Sequence, residues 1–238
     1  MKRIFFSVFS LWLLIPATVS AANYTNFLFA VKSDLKPFAR DLGGLLGSGS
    51  NQTARALGFS GFDISVKSAM QFAPEKGNTI LEKDHSFGLT LVQADIGMPY
   101  RLDGFIRAGS SSRLTVAGGG IRYGLRKVSD APKYMQTMLV VMGDLAVHKF
   151  FYASHFNSSL MFSFNAAHVS PYFGVGLDYT RLTPQNTNDT SFIGKKVTVF
   201  EPRYTFGLRV KLDLIYMAGG VTFTHGVTLA NAGAGVRF

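Results

Sequence analysis

The sequence contains no cysteine, only eight prolines and only 16% charged residues among its 238 residues. The missing cysteines exclude disulfides, iron–sulfur clusters, cysteine-ligated zinc and thiol nucleophiles. Beyond the first 21 residues no stretch approaches 18 consecutive apolar residues, which excludes a membrane protein built from helices. By contrast, 25 glycines, 22 phenylalanines and nine tyrosines favour strands joined by tight turns. The composition therefore favours an all-β protein.

The N-terminus has the organisation of a secretory signal peptide. Lys2 and Arg3 precede the apolar run 4–15, and small residues at 19–21 fit a signal peptidase site. The run of 12 residues is too short for a spanning helix, which needs about 20 apolar residues. We therefore expect residues 1–21 to be cleaved and the protein to be exported.

A formal net charge of +10 raises the question of an acidic partner. A nucleic-acid-binding surface needs clustered Lys and Arg. Here the longest basic runs are the pairs Arg126-Lys127 and Lys195-Lys196, and the others are scattered. We therefore expect no nucleic-acid partner and interpret the charge as a solvated surface or lumen.

Several stretches alternate strictly between apolar and polar residues. From Tyr204 to Leu214 the even positions are apolar, whereas the odd positions are mostly glycine or charged residues. Such alternation fits a soluble β-sandwich or a transmembrane β-barrel. Candidate strands of 10 to 14 residues suit a tilted membrane strand of roughly 9–11 residues better than a sandwich strand. The final residue, Phe238, closes an alternating strand and resembles the C-terminal signal that the barrel-assembly machinery recognises.

We therefore predict a transmembrane antiparallel β-barrel over residues 59–238, in the bacterial outer membrane. It would have about ten strands, although eight to twelve remain possible because each strand signal is weak. The polar stretches Pro74–Asp84 and Thr183–Lys195 are the predicted long, extracellular loops. The candidate strands lie near 62–72, 86–97, 101–109, 113–127, 135–148, 151–166, 169–182, 197–213, 214–225 and 227–238.

Residues 22–58 follow a different pattern. Apolar residues recur at spacings of three and four from Phe27 to Leu45, with charged residues between them. This pattern predicts a short amphipathic helix, interrupted by Pro37 and ended by Gly43-Gly44, followed by a glycine-rich linker. The helix could cap the barrel from the periplasm or enter the lumen as a plug, and the sequence leaves both open.

The block Asp41–Val66 resembles a known N-terminal pattern. A Gly-rich turn at 47–51, Thr53-Ala54 and a strand start at 61–64 follow the helix. This arrangement is similar to an uncharacterised family of bacterial outer-membrane barrels, known mainly from Bacteroidetes-type genomes. The resemblance implies a location and a fold, but no activity and no catalytic residues.

Chemical motifs are few. His168 and Ser170 have the i, i+2 spacing of some outer-membrane lipid hydrolases, but the alternation places both on the lumen face, away from lipid. The five histidines form neither an i, i+4 pair nor a carboxylate-supported cluster. We therefore expect no catalytic residue, no metal and no cofactor.

Charged residues on the predicted inward faces are the best functional indication. They either pair as a buried network that fills the lumen or line a narrow aqueous path. We accordingly expect a narrow channel or transporter for small polar or amphipathic solutes, with a structural or adhesive barrel and a lipid-modifying enzyme as alternatives. The expected partners are outer-membrane lipid, lipopolysaccharide and the barrel-assembly machinery. The candidate lumen residues are Lys67, Arg107, Arg122, Asp144, Asp178, Arg209, Lys211 and Asp213.

Overall fold

The computed structural model of the chain describes residues 22–129, 131–166 and 168–238. The predicted signal peptide lies outside these residues. Ten antiparallel strands form a closed barrel in which each strand pairs with its neighbour in sequence and β1 pairs with β10. This confirms the predicted fold class and the predicted number of strands.

The strand bounds agree with the predicted ones to within a few residues. They are β1 (Phe62–Gln71), β2 (Phe87–Gly97), β3 (Leu102–Ser111), β4 (Leu114–Gly124), β5 (Met135–His148), β6 (Phe151–Phe164), β7 (Val169–Pro184), β8 (Val197–Leu212), β9 (Ile215–Thr224) and β10 (Val227–Arg237).

The outer face of the barrel is apolar. Side chains from many strands are about half exposed there, and they alternate with buried inward residues as the sequence predicts. A closed barrel with such a belt has no free strand edge and matches the surface of a protein in the bacterial outer membrane. Examples are Ile64, Val66, Val92, Ile106, Leu145, Val175, Leu177, Phe200, Phe206 and Leu208.

The two ends of the barrel differ. One end carries the long connections 72–86 and 185–196, and we call it the loop end. The other end carries the start of β1 and the finish of β10, and we call it the terminus end. Outer-membrane barrels have short periplasmic turns and longer extracellular loops, so the terminus end corresponds to the periplasmic side.

The N-terminal part contains a 3₁₀ turn at Thr25–Phe29 and one α-helix, α1, at Lys32–Gly47. The carboxylate of Asp34 accepts a hydrogen bond from the backbone N–H of Val31 at 2.9 Å and caps the helix start. No helix among the described residues is long and apolar enough to cross a membrane.

The predicted interruption at Pro37 and the predicted end at Gly43-Gly44 are both wrong, because α1 runs through them. Pro37 lies only five residues after Lys32, so its missing N–H affects a carbonyl of the first turn. Gly43 packs so closely on β7 that an added Cβ would lie 3.1 Å from the Cβ of Thr180. The glycine therefore permits a close approach and does not end the helix.

The plugged lumen as the candidate functional site

The segment 22–57, which we call the plug segment, occupies the barrel interior. Helix α1 contacts β7, β8, β6, β1 and β2, and its residues from Asp41 to Gly47 are all buried. Beyond the helix, the linker reaches the terminus end, where the backbone N–H of Leu57 donates to the carboxylate of Asp103 at 3.0 Å. The segment thus runs through the lumen from the loop end to the terminus end.

In the loop-end half, the plug segment packs in an apolar core. The rings of Phe27 and Phe38 lie 4.9 Å and 5.1 Å from the ring of Phe151, measured between centroids. Side chains on the inward faces of the strands complete this core; they include Leu89, Leu91, Leu114, Val116, Ala146, Ala153, Leu182, Val199 and Leu229. This half of the lumen is built like the core of a soluble protein.

Midway along the lumen, an arginine from β8 binds the C-terminal turn of α1. Arg203 donates from Nη2 to the carbonyl oxygens of Gly43 and Gly44, at 3.3 Å and 3.1 Å. Its Nη1 donates to Oγ of Ser48 at 2.7 Å, and its Nε donates to Asp178 at 2.8 Å. A cation at a helix C-terminus also interacts favourably with the helix dipole.

Arg107 of β3 makes an equivalent connection. Its Nε donates to Asp144 at 2.8 Å, and its Nη2 donates to the carbonyl oxygen of Leu46. Both guanidinium groups are almost fully buried, and each is paired with a carboxylate of the barrel wall. Together, Arg107 and Arg203 join two arcs of the wall to the end of α1.

Sequence reasoning placed Arg107, Asp144 and Asp178 correctly in the lumen, but it missed Arg203. The same alternation that runs from Tyr204 assigns odd positions to the lumen, and Arg203 directly precedes Tyr204, so extending the alternation by one residue toward the N-terminus would have found this arginine. Proline within a strand usually argues against continued pairing, yet position 202 lies opposite Leu177 inside the ladder.

A second polar cluster fastens α1 near the loop end. The carboxylate of Asp41 accepts hydrogen bonds from Gln71 Nε2 at 2.6 Å, Asn78 Nδ2 at 2.7 Å and the backbone N–H of Glu75 at 2.9 Å. Nε2 of His225 lies 3.0 Å from the same carboxylate. One buried aspartate thereby connects the helix, β1, the loop 72–86 and the β9–β10 turn.

Three possible metal ligands meet in this cluster. One ligand atom each from Asp41, Glu75 and His225 lies within 4.8 Å of the others. These three residues lie far apart in the sequence, and a metal site is recognised in a sequence by ligands at short spacings. The sequence alone therefore does not identify this group. The hydrogen bonds already made by Asp41 account for its burial, so we interpret the cluster as a structural fastening of the plug segment.

Both long loops fold over the plug segment. The backbone N–H of Asn188 donates to the carbonyl oxygen of Leu28 at 2.9 Å. Arg40 of α1 forms ion pairs with Glu75 at 3.0 Å and Glu201 at 2.7 Å.

Within the loop 185–196, hydrogen bonds from the side chain and the backbone of Ser191 lower the pKa of Asp189 below its usual range.

In the terminus-end half, the linker meets a mixed wall. Lys67 is buried and donates from Nζ to Oε1 of Gln52 at 2.9 Å, and the backbone N–H of Ala54 donates to Oγ of Ser163 at 3.0 Å. A smaller apolar cluster packs around the linker on the opposite wall; it comprises Ala54, Ala56, Phe105, Met138, Val140, Met142, Met161, Tyr172 and Ala218.

The remaining predicted lumen residues lie in this half, with one exception. Arg122 is buried and pairs with Asp95, Arg209 is buried with its guanidinium 3.8 Å from Asp63, and Lys211 is half-buried.

Asp213 is the exception, because it lies exposed in the two-residue turn after β8 with φ of 54°. Aspartate tolerates this left-handed turn conformation, so the prediction that it continues the inward face is wrong. It lies instead at the rim of the barrel.

The spacing of His168 and Ser170 does not create a shared site. Ser170 is buried on the lumen face, as predicted, whereas His168 is exposed in the connection between β6 and β7. The exposed ring and the buried hydroxyl therefore occupy different environments.

Comparison with known proteins gives only distant similarities. No protein-family model and no curated protein sequence matches the chain. Among solved structures, Ail, the attachment invasion locus protein of Yersinia pestis, is 12% identical over 76% of this chain and 99% of its own, with a TM-score of 0.27. Neisserial surface protein A is 14% identical over 74% of this chain and 95% of its own, with a TM-score of 0.33.

Proposed function

We propose that the protein is a non-enzymatic, structural outer-membrane barrel that its own N-terminal segment keeps closed. The observation that carries this proposal is the apolar core between the plug segment and the wall in the loop-end half of the lumen. An open channel needs a wettable lining, whereas this half of the wall carries aliphatic and aromatic side chains. The apolar lining of this half therefore favours a plug segment that stays in the lumen over a water-filled path.

The size of this core supports a stable closed state. Phe27, Leu35, Phe38, Leu42 and Leu46 of the plug segment are fully buried. At about 2 kcal/mol for each fully buried large apolar side chain, their exposure would cost on the order of 10 kcal/mol. Thermal fluctuation alone would therefore rarely expel the plug segment.

The loops favour a structural role over loop-mediated adhesion. Asn188 contacts Leu28, and Glu75 contacts Arg40 and Asp41, so each loop is held against the plug segment at one point. Loops held in this way cover the plug segment.

Conductance of the full-length barrel in a planar lipid bilayer tests the proposal. We expect no steady ion current from the unaltered protein. Phe38→Asp, which puts a charge in the apolar core, should loosen the plug segment and produce current; Lys36→Asp, at an exposed position of the same helix, should not. Steady current through the unaltered barrel would refute the closed state.

A gated channel for small solutes is the second candidate. It is favoured by the wall ion pairs Arg107–Asp144 and Arg203–Asp178, which would leave balanced charges on a polar path if the plug segment moved. This candidate predicts openings of the unaltered barrel under applied voltage. Those openings should disappear when a disulfide fixes α1 to β7.

Three further assignments are part of this proposal: the family of the protein, the lipid that surrounds it and the role of its last residue. The resemblance of Asp41–Val66 to an uncharacterised Bacteroidetes-type family supports membership in that family. The apolar belt fits outer-membrane lipid and lipopolysaccharide as surroundings. Phe238, paired through its backbone with Phe62 and exposed at its side chain, is accessible to the barrel-assembly machinery as its signal.

A further inference from the structure

The cluster that fastens α1 near the loop end contains buried polar atoms that its hydrogen bonds leave without partners. Oε1 of Gln71 and Oε2 of Glu75 are inaccessible to solvent and have no hydrogen-bond partner among residues 22–129, 131–166 and 168–238. Gln71 is fully buried, and the side chain of His225 beside it is 1% exposed. A buried oxygen without a donor is costly, and a cation between these groups would satisfy both oxygens.

The groups around this place have the spacing of metal ligands. One ligand atom each from Asp41, Glu75 and His225 lies within 4.8 Å of the others. Nε2 of His225 lies 3.0 Å from Oδ1 of Asp41, and two ligands of a tetrahedral zinc ion are about 3.3 Å apart when each bond is roughly 2.0–2.2 Å long.

The amide of Gln71 faces the same space. Its Nε2 donates to Oδ1 of Asp41 at 2.6 Å. A Cβ added to Gly44 would lie 3.7 Å from Oε1 of Gln71 and 2.9 Å from Cε1 of His225. A fourth potential ligand therefore lies beside the other three.

Neighbouring groups orient the two carboxylates. Oδ2 of Asp41 accepts hydrogen bonds from Nδ2 of Asn78 at 2.7 Å and from the backbone N–H of Glu75 at 2.9 Å. Arg40 donates to Oε1 of Glu75 at 3.0 Å, which leaves Oε2 for a further partner. Hydrogen bonds of this kind orient the ligand carboxylates of metal sites.

We propose that Asp41, Glu75 and His225 bind a zinc ion at the loop end of the barrel, with Oε1 of Gln71 as the fourth ligand. One imidazole nitrogen together with oxygen ligands suits zinc, whereas calcium and magnesium prefer oxygen ligands alone. On binding, the proton on Nε2 of His225 moves to Nδ1, which has no hydrogen-bond partner in the described part of the chain. The proposal differs from the expectation drawn from sequence spacing, which does not detect ligands this far apart.

Zinc at this place would join four parts of the molecule through one ion: α1, β1, the loop 72–86 and the β9–β10 turn. The ion would add its bonds to the hydrogen bonds that already fasten the plug segment, so the plug segment would leave the lumen less readily when zinc is bound. This consequence rests on the proposed closed state, whereas zinc binding itself does not.

Isothermal titration calorimetry of the full-length barrel in detergent, after removal of metals with a chelator, tests the site. The titrants are zinc chloride, calcium chloride and magnesium chloride. We expect saturable binding of one zinc ion per chain, and binding of calcium and magnesium that is weaker by at least about tenfold. The absence of saturable zinc binding, or equal binding of calcium, would overturn the proposal.

Ligand variants separate this site from exposed histidines. His225→Ala and Glu75→Gln each remove one ligand and should each weaken zinc binding at least about tenfold, because even the groups that orient a metal ligand contribute roughly 10- to 100-fold to affinity. His168→Ala removes an exposed histidine near the terminus end and should change zinc binding less than about twofold. Heat-dependent gel mobility confirms that each variant is folded. Equal weakening by all three variants would also overturn the proposal.

Bilayer conductance distinguishes failure of the zinc site from failure of the closed state. Steady current through a barrel that binds zinc in the calorimeter would refute the closed state and leave the zinc site supported. A barrel that carries no current and binds no zinc would overturn the zinc site and leave the closed state supported.

Discussion

Arg107 and Arg203 show how single residues connect the barrel wall to the plug segment. Each guanidinium donates hydrogen bonds both to a carboxylate of the wall and to carbonyl oxygens at the end of α1. The carboxylate neutralises the buried charge, and the carbonyls gain partners that the last helical turn lacks. Because each arginine binds both the wall and α1, the position of the helix depends on the ion pairs of the wall.

Removing one carboxylate should therefore destabilise the whole barrel. Asp178→Asn leaves Arg203 buried without its counter-charge and also weakens the contact from Asn157 Nδ2, now 2.7 Å from Asp178. We expect a loss of about 3 kcal/mol in the free energy of unfolding, measured by urea titration in lipid vesicles. Asp189→Asn, in the exposed loop, should leave the free energy of unfolding nearly unchanged; equal losses for the two variants would contradict the paired role of Asp178.

At the scale of elements, α1 contains three glycines, Gly43, Gly44 and Gly47, although glycine is a poor helix former. Gly43 and Gly47 both face the wall, and an added Cβ on Gly47 would lie 2.7 Å from Cζ of Arg203. Gly47 allows Arg203 to reach the helix backbone, and Gly43 allows α1 to lie close to Thr180 of β7. Close packing thus outweighs the cost of about 1 kcal/mol that each glycine imposes on a helix.

Gly43→Ala tests this balance through the sign of its effect. Helix propensity alone predicts a gain of about 1 kcal/mol. Overpacking against Thr180, whose Oγ1 is 2.9 Å from Nδ1 of His155, predicts a loss of about 1–3 kcal/mol. We expect Gly43→Ala to lower the free energy of unfolding measured by urea titration. Lys36→Ala, at an exposed position of the same helix, is the control and should not lower it. A stabilised Gly43→Ala protein would show that α1 is not tightly seated.

The strands were predictable from the sequence, whereas the ends of α1 and the character of the lumen were not. Period-2 alternation defines a strand and its faces locally, so bounds such as Phe62–Gln71 follow from neighbouring residues. The continuation of α1 past Gly43 depends on β7, and the meeting of Asp41 with His225 depends on closure of the barrel. Neither contact leaves a local pattern.

At the scale of the whole molecule, the lumen is divided into two unlike halves. The loop-end half is an apolar core around Phe38, and the terminus-end half contains a polar region lined by charged side chains that include Lys67, Asp95 and Arg209. Sequence reasoning expected a polar lumen throughout. Inward Leu91 is followed by outward Val92, so the alternation of apolar and polar residues is lost at this point of β2 and could not show that the inward face is apolar.

The central claim, that the plug segment fills the lumen, is tested most directly by crosslinking. The chain contains no cysteine, so the pair Gly43→Cys and Thr180→Cys would report one contact alone. Their Cβ atoms would be 3.1 Å apart before relaxation, close to the roughly 3.5–4.5 Å of a disulfide.

The control combines Gly43→Cys with Tyr179→Cys, because neighbouring strand residues point to opposite faces of the wall. After mild oxidation in membranes, we expect a nearly complete crosslink for the first pair and almost none for the control, seen as a mobility change on non-reducing gels. Failure of the first pair to crosslink, in a barrel that still shows heat-dependent mobility, would contradict the plugged lumen.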